Sequence, residues 1–71
     1  MQYSMIIAWS EADQAYVVSL PEWDERVYQP MTDGGTYAEA AQHGQAVLET
    51  LIAQAQQHGE PLPAPKTHAA V

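Results

Sequence analysis

Asp33-Gly34-Gly35-Thr36-Tyr37-Ala38-Glu39 opens, and His58-Gly59-Glu60-Pro61-Leu62-Pro63-Ala64-Pro65 closes, a segment that side-chain chemistry marks as one long helix. The Thr36 hydroxyl is placed to accept from the Glu39 amide while the Glu39 carboxylate reaches back to the Thr36 amide, a reciprocal cap for two orphan donors. At the other end, Gly59 tolerates the left-handed conformation that stops a helix, and the prolines beyond it cannot continue one. Stepping the intervening residues at about 100° puts Tyr37, Ala40, Ala41, Gly44, Val47, Leu48, Leu51, Ile52 and Ala55 on one side. Glu39, Gln42, Gln45, Glu49, Thr50, Gln56 and Gln57 occupy the other, so the helix is predicted to lie on a sheet. Its early inward positions are small and its later ones large, which predicts a closer approach to the strands in the N-terminal half.

What precedes the helix reads as strands. Tyr3, Met5, Ile7 and Trp9 alternate with Ser4, Ile6, Ala8 and Ser10, a period-two pattern that predicts a first strand. After the polar tip Glu11, Ala12, Asp13, Gln14, residues 15–20 repeat the pattern up to Pro21, which predicts a hairpin. Pro21, Glu22, Trp23, Asp24 and Glu25 read as an acidic turn with Trp23 exposed, and Arg26, Val27, Tyr28 and Gln29 as a short third strand before Pro30. The expected fold is therefore α+β: a small antiparallel sheet in β-β-β-α order, covered on one face by one long helix. Residues 1–65 form one domain, and 66–71 are expected to fray.

One helix covers one face of a small sheet, yet these strands are apolar on both. In the first strand Met5, Ile7 and Trp9 share one side and Ile6 and Ala8 the other; in the second, Tyr16, Val18 and Leu20 share one face and Val17 sits on the reverse. That remainder points to burial of the second face or an edge by another protein chain. Trp9 is expected in the core or a subunit interface, and Trp23 either as a partner anchor or in local packing. The candidate interface is thus Ile6, Ala8, Trp9, Val17, Glu22, Trp23, Asp24 and Glu25.

Bulk composition narrows the function classes. In 71 residues a single core is marginal, and with no cysteine neither disulfides nor thiolate zinc can supplement it. Association as a homodimer or larger is expected. Nine carboxylates against Arg26 and Lys66 give a formal charge of −7, which repels phosphate and argues against direct nucleic-acid binding. A basic protein partner fits better. No apolar run approaches the roughly 20 residues of a membrane span, and no leader pattern is visible at the start, so a cytoplasmic protein is expected.

No constellation assembles an active site. His43 and His58 are separated by roughly 22 Å along one helix, His68 falls in the tail, and neither a metal nor a cofactor is expected. Glu22, Asp24 and Glu25 read as a solvated turn in preference to a divalent-cation or acid–base site. Gly34 and Gly35 lack the lysine of a phosphate cradle and read as a turn.

The same residues carry a family resemblance. Leu20-Pro21-Glu22 at the end of a strand, Gly34-Gly35-Thr36 with Glu39-Ala40 at the helix start, and the exit from Gly59 to Pro65 resemble the N-terminal domain of HicB-type antitoxins. The likeness spans about residues 3–65. It implies a β-β-β-α-β partial RNase H fold without nuclease activity, with a short fourth strand after Leu62 or the prolines. It also implies a function, the binding and neutralisation of a small basic HicA-type toxin that cleaves mRNA, and assembly into dimers or tetramers. Two features depart from the family pattern. Its Pro-Asp-Leu-Pro-Gly turn is replaced by Pro21-Glu22-Trp23-Asp24-Glu25, and no DNA-binding domain follows before Val71, so operator binding is not expected. The alternative is an orphan self-associating structural or adaptor domain.

Overall fold

The computed structural model describes residues 2–66. Its elements are β1 (Ile6–Ser10), β2 (Ala15–Ser19), a 3-10 turn (Pro21–Trp23), β3 (Thr32–Gly34) and α1 (Tyr37–His58). The three strands form one antiparallel sheet in the order β1-β2-β3, and α1 packs across it. The α+β class and the β-β-β-α order agree with the sequence patterns.

In the β1–β2 ladder Ile7 faces Val18 and Trp9 faces Tyr16, so these side chains share one face of the sheet. Helix α1 lies on that face, where a Cβ added to Gly44 would come within 2.9 Å of both the Met5 side chain and Val18 Cγ1. The core is Val18, Leu20, Trp23 and Ala40, with Tyr3, Met5, Ile7, Tyr16, Val27 and Met31 and the helix residues Val47, Leu48, Leu51 and Ile52 packed around it. The close approach expected near the helix start is made through Gly34, where an added Cβ would lie 2.4 Å from the Ala40 amide nitrogen. No side chain fits there.

Both helix ends carry their expected signals, with one change of partner. Thr36 caps α1 by accepting from the Glu39 amide at 3.1 Å, and Gly59 ends it at φ 69°. The Glu39 carboxylate, however, accepts from Gly35 at 3.1 Å, so the return bond falls one residue earlier than the pattern predicted. One exposed donor is still satisfied, on the loop side of the cap.

The third strand is not residues 26–29. Trp23 O accepts from the amides of Arg26 and Val27, which coils that segment into turns. The Gln29 side chain then accepts from Leu20 N and donates to Leu20 O, taking the place of a strand partner. Met31 N donates to Val18 O, and the ladder resumes with Thr32 opposite Val18 and Gly34 opposite Tyr16. The first strand is also shorter than its apolar alternation. Residues 3–5 have no ladder partner because β2 stops before Pro21, and the Ser4 amide instead donates to Glu22.

After Gly59 the chain runs back past the N-terminal segment. Tyr3 Oη donates to Pro63 O at 2.7 Å, Ser4 Oγ donates to Lys66 O, and Arg26 donates to Pro61 O. Lys66, expected to fray, is held by three hydrogen bonds through its amide, carbonyl and ammonium groups. Among the described residues no fourth strand follows α1. Residues 67–71, including His68, lie outside the description.

Candidate interaction surface

Alternation along β1 and β2 places Ile6, Ala8 and Val17 on the sheet face opposite α1. Val17 is the centre of this surface: Ala8 pairs with it from β1 and Asp33 from β3. Ile6 is 55% exposed and Ala8 is exposed, while Val17, on the central strand, is half-buried by its neighbours. Ser10, Ala15 and Ser19 are short, so the face is nearly flat around an aliphatic centre. No described element covers it.

A flat apolar patch on a sheet can be buried by a partner through side-chain packing, and the free edge of β1 adds unpaired backbone groups beside it. Residues 2–10 contain no charged side chain and no proline, so the edge carries none of the devices that discourage pairing. Eight of the nine carboxylates are exposed, which surrounds this uncharged strip with negative potential.

The acidic turn divides differently from its expected, solvated form. Trp23 is only 3% exposed and meets Tyr3 edge-on with ring centroids 4.8 Å apart. Its indole completes the core where the sheet ends and the helix is still overhead, so local packing is the role the structure gives it. Glu22 is 7% exposed and accepts from Ser4 N at 3.1 Å and Lys66 N at 2.8 Å. The carboxylate ties the N-terminal segment, the turn and the C-terminal segment together. Burial pushes its pKa up, but donation from the Lys66, Ser4 and Glu22 amides and the Ser4 hydroxyl outweighs this, and the net pKa lies below the usual glutamate value.

Asp24 and Glu25 are exposed while Glu22 is buried, and among the described residues the three acids of the turn are not grouped so as to hold a metal ion. Of the eight residues singled out for an interface, Ile6, Ala8, Trp9, Asp24 and Glu25 are exposed, Val17 is half-buried, and Glu22 and Trp23 are internal. Arg26 and Lys66 both donate to backbone carbonyls, of Pro61 and Pro21. His43 Nδ1 hydrogen bonds Asp33 O, and because a carbonyl only accepts, the ring proton sits on Nδ1. His58 lies 3.8 Å from Glu60 at the far end of α1. Among the described residues no group of three His, Cys, Asp or Glu side chains is placed to hold a metal ion, and no helix is long and apolar enough to cross a membrane.

Tyr37, 60% exposed, escaped the sequence patterns as a surface residue, because it falls on the inward face by periodicity. Comparison of the chain with known protein families, with curated proteins and with solved structures finds no match.

Proposed function

We propose that this chain is a non-enzymatic protein-binding module of HicB-like type, which binds and neutralises a small basic HicA-type toxin that cleaves mRNA. The observation that carries the reading is the uncovered sheet face of Ile6, Ala8 and Val17, set in a molecule of formal charge −7. Burial of exposed apolar surface at roughly 25 cal/mol per Å² supplies affinity, and the surrounding carboxylates steer a basic partner and disfavour acidic ones. The Leu20-Pro21-Glu22, Gly34-Gly35-Thr36 and Gly59-to-Pro65 signatures, and the β-β-β-α order, support the family resemblance. A toxin whose active surface is positive, because it must hold RNA phosphates, is masked by such a partner.

The test is co-expression with small basic HicA-like proteins, scoring growth rescue and a stable purified complex. Ala8→Arg and Ile6→Glu, both on exposed positions of the patch, are expected to keep the fold and to abolish rescue. Failure of every such protein in both assays overturns the toxin reading.

A second reading has its own support in the uncharged edge of β1, along which a second copy can pair. Here the module is a self-associating structural or adaptor domain with no toxin. A sedimentation experiment at micromolar concentration separates the cases: a concentration-dependent dimer abolished by Ala8→Arg supports self-association, and a monomer at all concentrations refutes it.

A further inference from the structure

A second exposed apolar feature lies on the helix side of the sheet, at the hairpin end. Trp9 and Tyr16 face each other across β1 and β2, their ring centroids 5.2 Å apart and their planes at 69°. Tyr37, the first residue of α1, lies over Tyr16 at 4.2 Å and 35°. Tyr16 is thus flanked by two aromatic walls, and those walls are open to solvent: Trp9 is 46% exposed and Tyr37 60%. Tyr16 packs against the core of Val18, Leu20, Trp23 and Ala40, whereas Trp9 and Tyr37 lie outside it.

The charges around this row are of one sign. Glu11 and Asp13 occupy the turn that follows Trp9, and Glu39 lies two residues after Tyr37 in the first turn of α1. All three are exposed. Asp13 accepts from Ser10 Oγ, Glu11 from the Gln14 amide and Glu39 from Gly35 N, all neutral donors that leave the carboxylate charge in place. Glu39 also offsets the positive end of the α1 dipole next to Tyr37. Arg26 and Lys66 are at the opposite end of the molecule, bonded to Pro61 and Pro21 carbonyls.

Aromatic faces attract cations, and neighbouring carboxylates raise the local cation concentration. Between the two basic side chains, guanidinium is planar and weakly hydrated and stacks on rings better than ammonium does. We propose that the Trp9–Tyr16–Tyr37 row is the docking site for an arginine side chain of a basic protein partner, with Glu11 and Asp13 receiving adjacent positive charge. The inference rests on the reading of a basic partner above and specifies where, and through which side chain, that partner is held. A second copy of this chain is a poor occupant, because Arg26 is already engaged with its own backbone.

The two tryptophans make the test direct, because Trp23 is buried and reports only on the core. The full chain, with labelled indole and tyrosine groups, is titrated by NMR with a short arginine-rich peptide. Matched peptides carry lysine, or the neutral isostere citrulline, in place of arginine. Saturable shifts of the Trp9 and Tyr37 signals with Trp23 unmoved are expected, strongest for arginine and about tenfold weaker for citrulline. Trp9→Leu and Tyr37→Ala are each expected to weaken binding about tenfold with unchanged circular dichroism, and Glu11→Gln with Asp13→Asn to flatten its salt dependence. Equal binding of the citrulline peptide, binding that leaves Trp9 and Tyr37 unmoved, or no binding at millimolar peptide overturns the proposal. A toxin complex that forms without moving Trp9 or Tyr37 removes this site and leaves the partner reading standing. Arginine-dependent binding at Trp9 and Tyr37, with no toxin found, does the reverse.

Discussion

Glu22 shows how far a side chain's role depends on what folds around it. In the chain it is one of three acids in a short turn; in the fold it is an internal acceptor for two segments that are 62 residues apart at Ser4 and Lys66. Glu22→Gln replaces one acceptor oxygen by an NH2 group facing amide donors, and is expected to destabilise the protein by about 1–3 kcal/mol in urea unfolding. The pH dependence follows from the direction of the shift. The folded-state pKa is lowered from the ordinary 4.5, so the carboxylate's contribution is full above that value and is lost as pH falls through the folded pKa. The stability gap between wild type and Glu22→Gln should therefore be constant near neutrality and shrink in acid. A gap that widens in acid refutes the assignment. The tryptophans divide in the same manner: Trp23→Ala should cost about 3–5 kcal/mol, whereas Trp9→Ala, at a half-exposed site, should cost far less. Similar losses for both would mean that Trp9 belongs to the core.

Helix α1 is the element whose chemistry was most legible in the chain, because its signals are local. Thr36 and Gly59 act within four residues of themselves, through bonds that sequence spacing already specifies. Thr36→Ala is expected to lose about 1 kcal/mol, and Gly59→Ala about 1 kcal/mol through its left-handed backbone alone, since nothing lies within 4 Å of the added methyl. Gly34→Ala fails for the opposite reason: the methyl would meet the Ala40 backbone, which cannot step aside without moving the helix. Its loss should exceed that of Gly59→Ala. At Gly44 the two effects compete, a helix-propensity gain of about 1 kcal/mol against overpacking of about 1–3 kcal/mol. The stiff, buried Val18 is one of the atoms met, so a net loss is expected. Thermal unfolding of the four variants ranks them, and a stabilised Gly34→Ala would refute the close packing of α1 on β3. By contrast, β3 was misplaced because Thr32-Asp33-Gly34 has no apolar alternation. It is a strand only because β2 offers it a partner and Gln29 steers the chain there.

At the scale of the whole molecule, the described residues set one α-helix against a two-faced sheet, and the surface chemistry follows from that shortage. The helix protects Met5, Val18 and Leu20, and leaves Ile6, Ala8 and Val17 for solvent or for a partner. Ile6→Lys is expected to change monomer stability by no more than about 0.5 kcal/mol while weakening association at this face at least tenfold, read by sedimentation or by partner titration. If folding collapses instead, the face is part of the chain's own core. The division of faces was visible in the chain as alternation, but the division of the aromatics was not. Trp9, Tyr16 and Tyr37 carry the same inward signature as Leu20, and only the end of the sheet at which they fall leaves two of them open.

What the amino-acid order settled unaided was whatever depends on near neighbours: the helix and its caps, the hairpin and which residues of a strand share a face. Strand alternation and helix capping act over two to four residues, so spacing alone carries them. The position of β3, the burial of Trp23, the Glu22 tie and the exposed aromatic row waited on the folded chain. Each depends on segments far apart in sequence meeting in space, and no local spacing encodes which backbone amide a carboxylate will find.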